Sequence, residues 1–130
     1  MPDLPPWALA VSFIDAINRN DLARLGELMS EDHELKVLTE PPVAGHAANV
    51  EAWRGYCGSW PGYVIYPRRM AQTGDTVAIL GHTTGSHLEL ADDEESKLTL
   101  IWLCRANGGF VSTWELIEDS DENRRLWGLG

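Results

Sequence analysis

The chain has 130 residues, which corresponds to one domain. Its 44% hydrophobic and 23% charged residues are typical of a folded globular protein and exclude a disordered one. Ten basic residues against twenty acidic ones leave a formal charge of −10. Because this charge repels phosphate backbones and anionic lipid, we expect neither nucleic acid nor a membrane surface as a partner.

The cysteine content and the N-terminal residues bear on the cellular compartment in which the protein is found. Cys57 and Cys104 are too few for a disulfide framework, although a single bridge between them is an alternative. The first apolar stretch has no cationic segment before it and is interrupted at Asp15, unlike a signal peptide or a transmembrane span. We therefore expect a cytoplasmic protein.

Helices dominate the first half of the chain. A Pro-Pro step at 5–6 favours a helix start, and apolar residues at three- and four-residue spacing predict one buried stripe, formed by Trp7, Ala10, Val11, Ile14 and Ile17. Asp21 predicts the cap of a second, short helix that residues 30–32 interrupt. Alternation over 33–39 predicts a half-buried strand, and helical spacing predicts a third helix over 47–57.

The second half of the chain is typical of β structure. Four strand-like runs are separated by short turns, at 63–72, 76–90, 96–106 and 110–118. The last turn contains Asn107-Gly108, a strong hairpin signal. Because short turns make neighbouring strands antiparallel, helices followed by these strands predict an α+β fold, in one domain spanning 1–130. The acidic run 91–95 predicts a solvated turn, and the acidic tail predicts a short solvated helix or a frayed end.

Several segments together resemble a known superfamily. The N-terminal FIDAINRND and LARLGELMSED, and the later GDTVAILGHTTGSH and IWLCRANGGFVSTWELIED, are similar to the opening helices and closing strands of the nuclear transport factor 2-like superfamily. The similarity spans residues 7–120 and is closest to the SnoaL-like, polyketide cyclase-like branch. It implies a cone-shaped, bent antiparallel sheet wrapped around three N-terminal helices, usually with an apolar pocket.

The strand at 98–104 bears on the oligomeric state. Its residues are apolar on both faces, as in a strand that is buried on both sides. The resemblance implies that many members form dimers through the outer face of the sheet. We therefore expect a homodimer through that face, with the other face toward the helices or the pocket.

Ketosteroid isomerase, a member of the superfamily, provides positions to compare. Its tyrosine, aspartate base and second carboxyl group correspond to Phe13, Val37 and either Ile101 or Trp102 here. All of these are apolar, which argues against isomerase chemistry by that constellation. We expect the pocket wall to include Phe13, Val37, Trp53, Trp102 and Trp114, although tryptophans equally serve as core residues.

Three polar residues are candidates for acid–base chemistry. His33 shares a strand face with apolar residues, His82 lies mid-strand, and Glu115 follows a tryptophan in the last strand. The alternatives are a surface position for His33, a core or interface position for His82 and a solvated position for Glu115. A His82–Glu115 pair across neighbouring strands is the simplest catalytic arrangement, whereas His46 and His87 are expected to be solvated.

No metal or cofactor is expected. A metal site needs three or four converging ligands, and the five-residue spacing of His82 and His87 points them to opposite faces unless Gly85 hosts a bulge. No nucleotide-binding or nucleophile motif is present. We therefore expect a domain that binds a small hydrophobic molecule and carries out cofactor-independent isomerisation, dehydration or cyclisation. The alternative is a non-catalytic binding or dimerisation module.

Overall fold

The computed structural model describes residues 4–130. Within this range, five helices and six strands follow one another as α1 (Pro6–Asn18), α2 (Leu22–Leu28), β1 (Met29–Val37), β2 (Val43–Ala44), α3 (His46–Ser59), β3 (Val64–Thr73), β4 (Thr76–Thr84), α4 (Asp92–Glu95), β5 (Leu100–Asn107), β6 (Phe110–Glu118) and α5 (Asp121–Leu126). The predicted α+β architecture, with helices preceding a meander, is confirmed.

The six strands form one sheet in the order β2-β1-β6-β5-β4-β3. Strands β3 to β6 pair antiparallel with their neighbours along the chain. Strand β1 lies beside β6 and runs parallel to it, so the sheet is mixed rather than wholly antiparallel. A parallel pair needs a long crossover connection, and here most of the chain lies between the two strands.

Several strand boundaries differ from the prediction, and β5, for example, begins at Leu100 instead of residue 96. Strand β1 already begins at Met29 and includes residues 30–32, two of which are acidic and where a break was expected. Glu31 and Asp32 are exposed, so their charges do not oppose an extended backbone there. Strand β4 ends at Thr84, and part of the acidic run after it forms α4 instead of a solvated turn.

The buried stripe of α1 is rotated from its predicted position. Trp7 and Val11 are exposed, whereas Leu9 and Phe13 are buried with the expected residues Ala10, Ile14 and Ile17. Proline at the first helical position starts the helix, as predicted. The Asp21 side chain accepts a hydrogen bond from the Arg24 N–H at 3.1 Å, which confirms the predicted cap of α2.

The sheet separates two apolar clusters, and β5 contributes to both. Trp102 and Cys104 belong to the main core on the helix-bearing inner face, whereas Ile101 and Leu103 belong to a smaller cluster on the outer face. Leu129, from the segment after α5, completes the outer cluster and is fully buried. The outer residues are therefore covered within a single chain, and the homodimer through this face remains a prediction.

Candidate functional site

A cavity of about 250 Å³ lies between α3 and the inner face of the sheet. Its wall is almost wholly apolar or aromatic and consists of Leu35, Val37, Ala52, Trp53, Tyr56, Tyr63, His87, Trp102, Trp114 and Leu116. Cavities of about 150 Å³ lined by apolar side chains already hold benzene. This cavity therefore has room for a molecule of one or two rings.

The regular periods of the surrounding elements bring these side chains together. Leu35 and Val37 are two residues apart on β1, and Trp114 and Leu116 are two apart on β6, so each pair faces the same side of the sheet. The β1–β6 register places Leu35 opposite Trp114 and Val37 opposite Leu116. Helix α3 adds the residues that close the cavity from the other side.

Four of the five residues predicted to line a pocket do line this cavity: Val37, Trp53, Trp102 and Trp114. Phe13 does not, because its ring is fully buried behind the wall. The centroid of the Phe13 ring lies 4.7 Å from the ring centroid of Trp114 and 6.5 Å from that of Trp53. The Phe13 and Trp53 rings pack edge-on. Phe13 thus supports two wall tryptophans instead of facing a ligand.

A hydrogen-bonded pair forms the polar part of the wall. The Tyr56 hydroxyl lies 2.8 Å from His87 Nδ1, and the backbone N–H of His87 donates to the same phenol oxygen at 3.2 Å. Burial raises the pKa of Tyr56, and burial raises the pKa of Tyr63 far above its ordinary value. Both phenols are therefore neutral hydrogen-bonding groups at physiological pH.

A buried carboxylate holds the loop that carries His87. Glu95 is only 1% exposed, and its carboxylate accepts hydrogen bonds from the Thr83 hydroxyl and from the Ser86 N–H. These contacts fix the chain on both sides of Gly85 before it reaches His87. Glu95 thus helps to position the loop, although its acidic run was predicted to be a solvated turn.

Sequence reasoning missed the polar part of this site. His87 was expected to be solvated; it is exposed, but its ring also lies on the cavity wall beside Tyr56. The helical spacing of Trp53 and Tyr56 was a usable signal, since residues three apart share a helix face. Nothing local in the sequence places His87 near them, because the two segments are 31 residues apart.

His33 lies on the predicted inner face of β1 but outside the cavity wall. It is fully buried, so the alternative of a surface histidine is wrong. Its Nδ1 donates to the Val111 carbonyl at 2.7 Å, since a carbonyl can only accept. Burial lowers the pKa of His33, which keeps the imidazole neutral.

The buried His33 makes stability depend on pH. Because the pKa of His33 is lower in the folded chain than its ordinary 6.5, the unfolded chain binds the additional proton as the pH falls below 6.5. We expect the free energy of unfolding to fall by about 1 kcal/mol more in the wild type than in His33→Gln between pH 7.5 and 5.5. Urea unfolding at both pH values measures this, and identical pH dependence in the two proteins would contradict it.

The predicted His82–Glu115 pair does not form. Strand β5 separates β4 from β6, so the two residues are not on neighbouring strands. From the register, two strand spacings and four residues separate their Cα atoms by about 16 Å. The side chains of His82 and Glu115 lie on the outer face of the sheet, together with those of Ala78 and Leu103, and so point away from the cavity.

Each of the two has other partners on the outer face. The His82 ring stacks on Tyr66 with centroids 4.8 Å apart, and its Nδ1 accepts from Arg68 Nε at 3.1 Å. The Arg68 charge adds to desolvation in lowering the pKa of His82. Glu115 lies 3.7 Å from an Arg105 nitrogen. These contacts are typical of surface pairs and bring no reactive group to the cavity.

Within residues 4–130, no three His, Cys, Asp or Glu side chains are grouped so that they could hold a metal ion. Over the same residues, no helix is both long enough and apolar enough to cross a membrane. Cys57 and Cys104 are free and buried. The polar side chains of the cavity wall, Tyr56, Tyr63 and His87, can take part in hydrogen bonding and proton transfer.

Helices packed on one face of a six-stranded sheet, with an apolar cavity between them, define a protein of the nuclear transport factor 2-like fold. A protein of this fold from Cytophaga hutchinsonii superposes with a TM-score of 0.70 at 12% identity, covering 96% of each chain. The chain belongs to the SnoaL-like domain family, whose model matches residues 10–114. The predicted superfamily and branch are thereby confirmed.

Two further solved structures share the fold. A cystatin-fold protein from Novosphingobium aromaticivorans has a TM-score of 0.76 at 18% identity, covering 88% of this chain and 99% of its own. An LEH-like epoxide hydrolase from M. tuberculosis has a TM-score of 0.69 at 13% identity, covering 88% and 82%. A search of curated proteins finds no match to this chain. At these identities the similarity establishes the fold alone.

Proposed function

We propose that this domain binds a small, neutral, largely apolar molecule of one or two rings in the cavity. The observation that carries this proposal is the wall itself, in which Trp53, Trp102 and Trp114 surround a volume of about 250 Å³. Apolar cavities with a few polar groups are the usual form of small-molecule sites. No Lys, Arg, Asp or Glu lines this cavity within residues 4–130, which favours an uncharged ligand.

The proposed chemistry on the bound molecule is cofactor-independent proton transfer, as in isomerisation, dehydration or cyclisation. The titratable side chains of the wall are Tyr56, Tyr63 and His87, and the imidazole of His87 has two ring nitrogens that can donate or accept a hydrogen bond. The epoxide hydrolase of the same fold is an example of a small-molecule enzyme on this scaffold. Fold similarity supports a range of reactions and does not select one.

A second candidate is a binding module without catalysis. Acid–base catalysis by a histidine commonly uses a carboxylate as the second catalytic group. Among the cavity-lining residues of the described chain there is no Asp or Glu, which favours binding without catalysis. Cytoplasmic location and homodimerisation also remain proposals.

Filling the cavity should weaken ligand binding. Ala52 lies on the wall, so Ala52→Phe is expected to weaken the binding of tetralin, a neutral two-ring probe, by about tenfold or more because the rings would compete for one space. Ala48→Phe is the matched control, since Ala48 is exposed on the same helix. Titration followed by tryptophan fluorescence measures both. Equal affinity of the two variants would refute the proposed site, and so would a wild type that does not bind tetralin.

A further inference from the structure

The Tyr56–His87 pair has a defined direction of hydrogen bonding. The phenol oxygen of Tyr56 accepts the backbone N–H of His87 at 3.2 Å and lies 2.8 Å from His87 Nδ1. A phenol O–H is a stronger donor than a neutral imidazole N–H, which favours donation from Tyr56 to Nδ1. A neutral imidazole that accepts at Nδ1 carries its own proton on Nε2. Tyr56 thereby selects one tautomer of His87.

We infer that His87 presents its Nε2–H as a hydrogen-bond donor to the ligand, and that the ligand is therefore a neutral ring compound with a carbonyl oxygen at the end that meets His87. This inference rests on the proposed binding function. It extends that function by assigning His87 as the residue that determines specificity for the oxygen and Tyr56 as a positioning residue.

The surroundings of His87 favour a neutral oxygen over a charged one. Glu95 holds the same loop with a buried carboxylate, and the whole chain has a formal charge of −10. A ligand carboxylate would be repelled by both. A ligand cation would find no carboxylate on the cavity wall within the described residues. A carbonyl oxygen can accept a hydrogen bond from His87 without charge repulsion and without leaving a charge unpaired.

The loop is held firmly enough for such selection. Glu95 accepts from Thr83 and from the Ser86 N–H, and the His87 ring packs edge-on to the Tyr56 ring with centroids 5.7 Å apart. The two hydrogen bonds that the Tyr56 hydroxyl makes with His87 and this ring contact restrain the imidazole at the cavity wall. The donor is therefore preorganised, which lowers the ordering cost of binding.

Two probes of nearly equal shape test the inference, namely tetralin and 1-tetralone, which adds one carbonyl oxygen. We expect the wild type to bind 1-tetralone about three- to tenfold more tightly than tetralin, the range of one net hydrogen bond. In His87→Phe the ratio of the two affinities should fall to about one, while tetralin still binds. Tyr56→Phe should lower the ratio as well, because the Nε2–H tautomer is no longer selected.

His82→Phe is the matched control, because His82 lies on the outer face and its ring also packs against a tyrosine, Tyr66. It should keep the wild-type ratio. A wild-type ratio of one, or an unchanged ratio in His87→Phe, would overturn the inference and leave the proposed binding function intact. If the wild type binds neither probe, the proposed function itself fails and the inference fails with it. Circular dichroism confirms that each variant is folded.

Discussion

Gly85→Ala is expected to lower the free energy of unfolding by about 3 kcal/mol, through backbone strain and a steric clash together. Gly85 has φ +70°, a left-handed conformation that costs other residues about 1–2 kcal/mol. A Cβ at this position would also lie 2.3 Å from the Gly62 carbonyl oxygen and 3.1 Å from the Tyr63 nitrogen. Because both neighbours are backbone atoms, one of the two segments would have to move.

Gly74→Ala separates these two contributions. Gly74 also has a positive φ, +58°, but a Cβ there would meet no atom within 4 Å. It should therefore lose only about 1–2 kcal/mol. Urea unfolding of both variants measures the difference, and equal losses would contradict the close contact between the end of β4 and the chain before β3. In Gly85→Ala we also expect weaker discrimination between 1-tetralone and tetralin, since His87 follows two residues later.

Phe13→Ala is expected to lower the free energy of unfolding by about 3–5 kcal/mol, the usual cost of removing a buried aromatic ring. Phe13 is fully buried, and its ring contacts those of His33, Trp53 and Trp114. Truncation would leave a void behind the cavity wall that the neighbouring rings cannot fill without losing their own packing. Urea unfolding followed by circular dichroism measures the loss without relying on the disturbed tryptophans.

Val11→Ala provides the control for Phe13→Ala. Val11 lies on the same helix but is 48% exposed, so its truncation should cost less than about 0.5 kcal/mol. A cost for Phe13→Ala as small as that for Val11→Ala would mean that Phe13 does not occupy the core. Such a result would favour the predicted position of Phe13 on the pocket wall.

Much of the fold could be predicted from local periodicity. Strand β6 has the predicted bounds at 110–118, because its alternation and the preceding Asn107-Gly108 turn are both local signals. Strand β1 was predicted too short, since Glu31 and Asp32 near its start are acidic and exposed. Its pairing with β6 is a contact between distant parts of the chain, and no local pattern encodes it.

The apolar wall of the site could also be anticipated, whereas its polar part could not. Strand parity and helical spacing place Val37, Trp53 and Trp114 toward one interior. The position of His87 depends on the turn at Gly85 and on the contacts of Glu95, both of which are tertiary. From composition alone, His87 and Glu95 were predicted to lie in solvated loops.

The outer face of the sheet shows a further limit of sequence reasoning. Strand β5 has apolar residues on both of its faces, which correctly predicts burial on both sides of the sheet. Ile101 on the outer face and Trp102 on the inner face are both buried. The pattern does not say what covers the outer side. Within the chain, Leu129 does so, and its carbonyl accepts a hydrogen bond from Arg69 at 2.8 Å.

The central claim is that a small ring compound binds inside the cavity, and the indole N–H signals of the six tryptophans test it most directly. A two-dimensional ¹H–¹⁵N NMR titration with tetralin should shift the signals of the wall tryptophans Trp53, Trp102 and Trp114 in a saturable manner, and those of Trp7, Trp60 and Trp127 should not move. Ala52→Phe should suppress these shifts and Ala48→Phe should not. Shifts confined to the second group, or no saturable shift in any signal, would contradict the account.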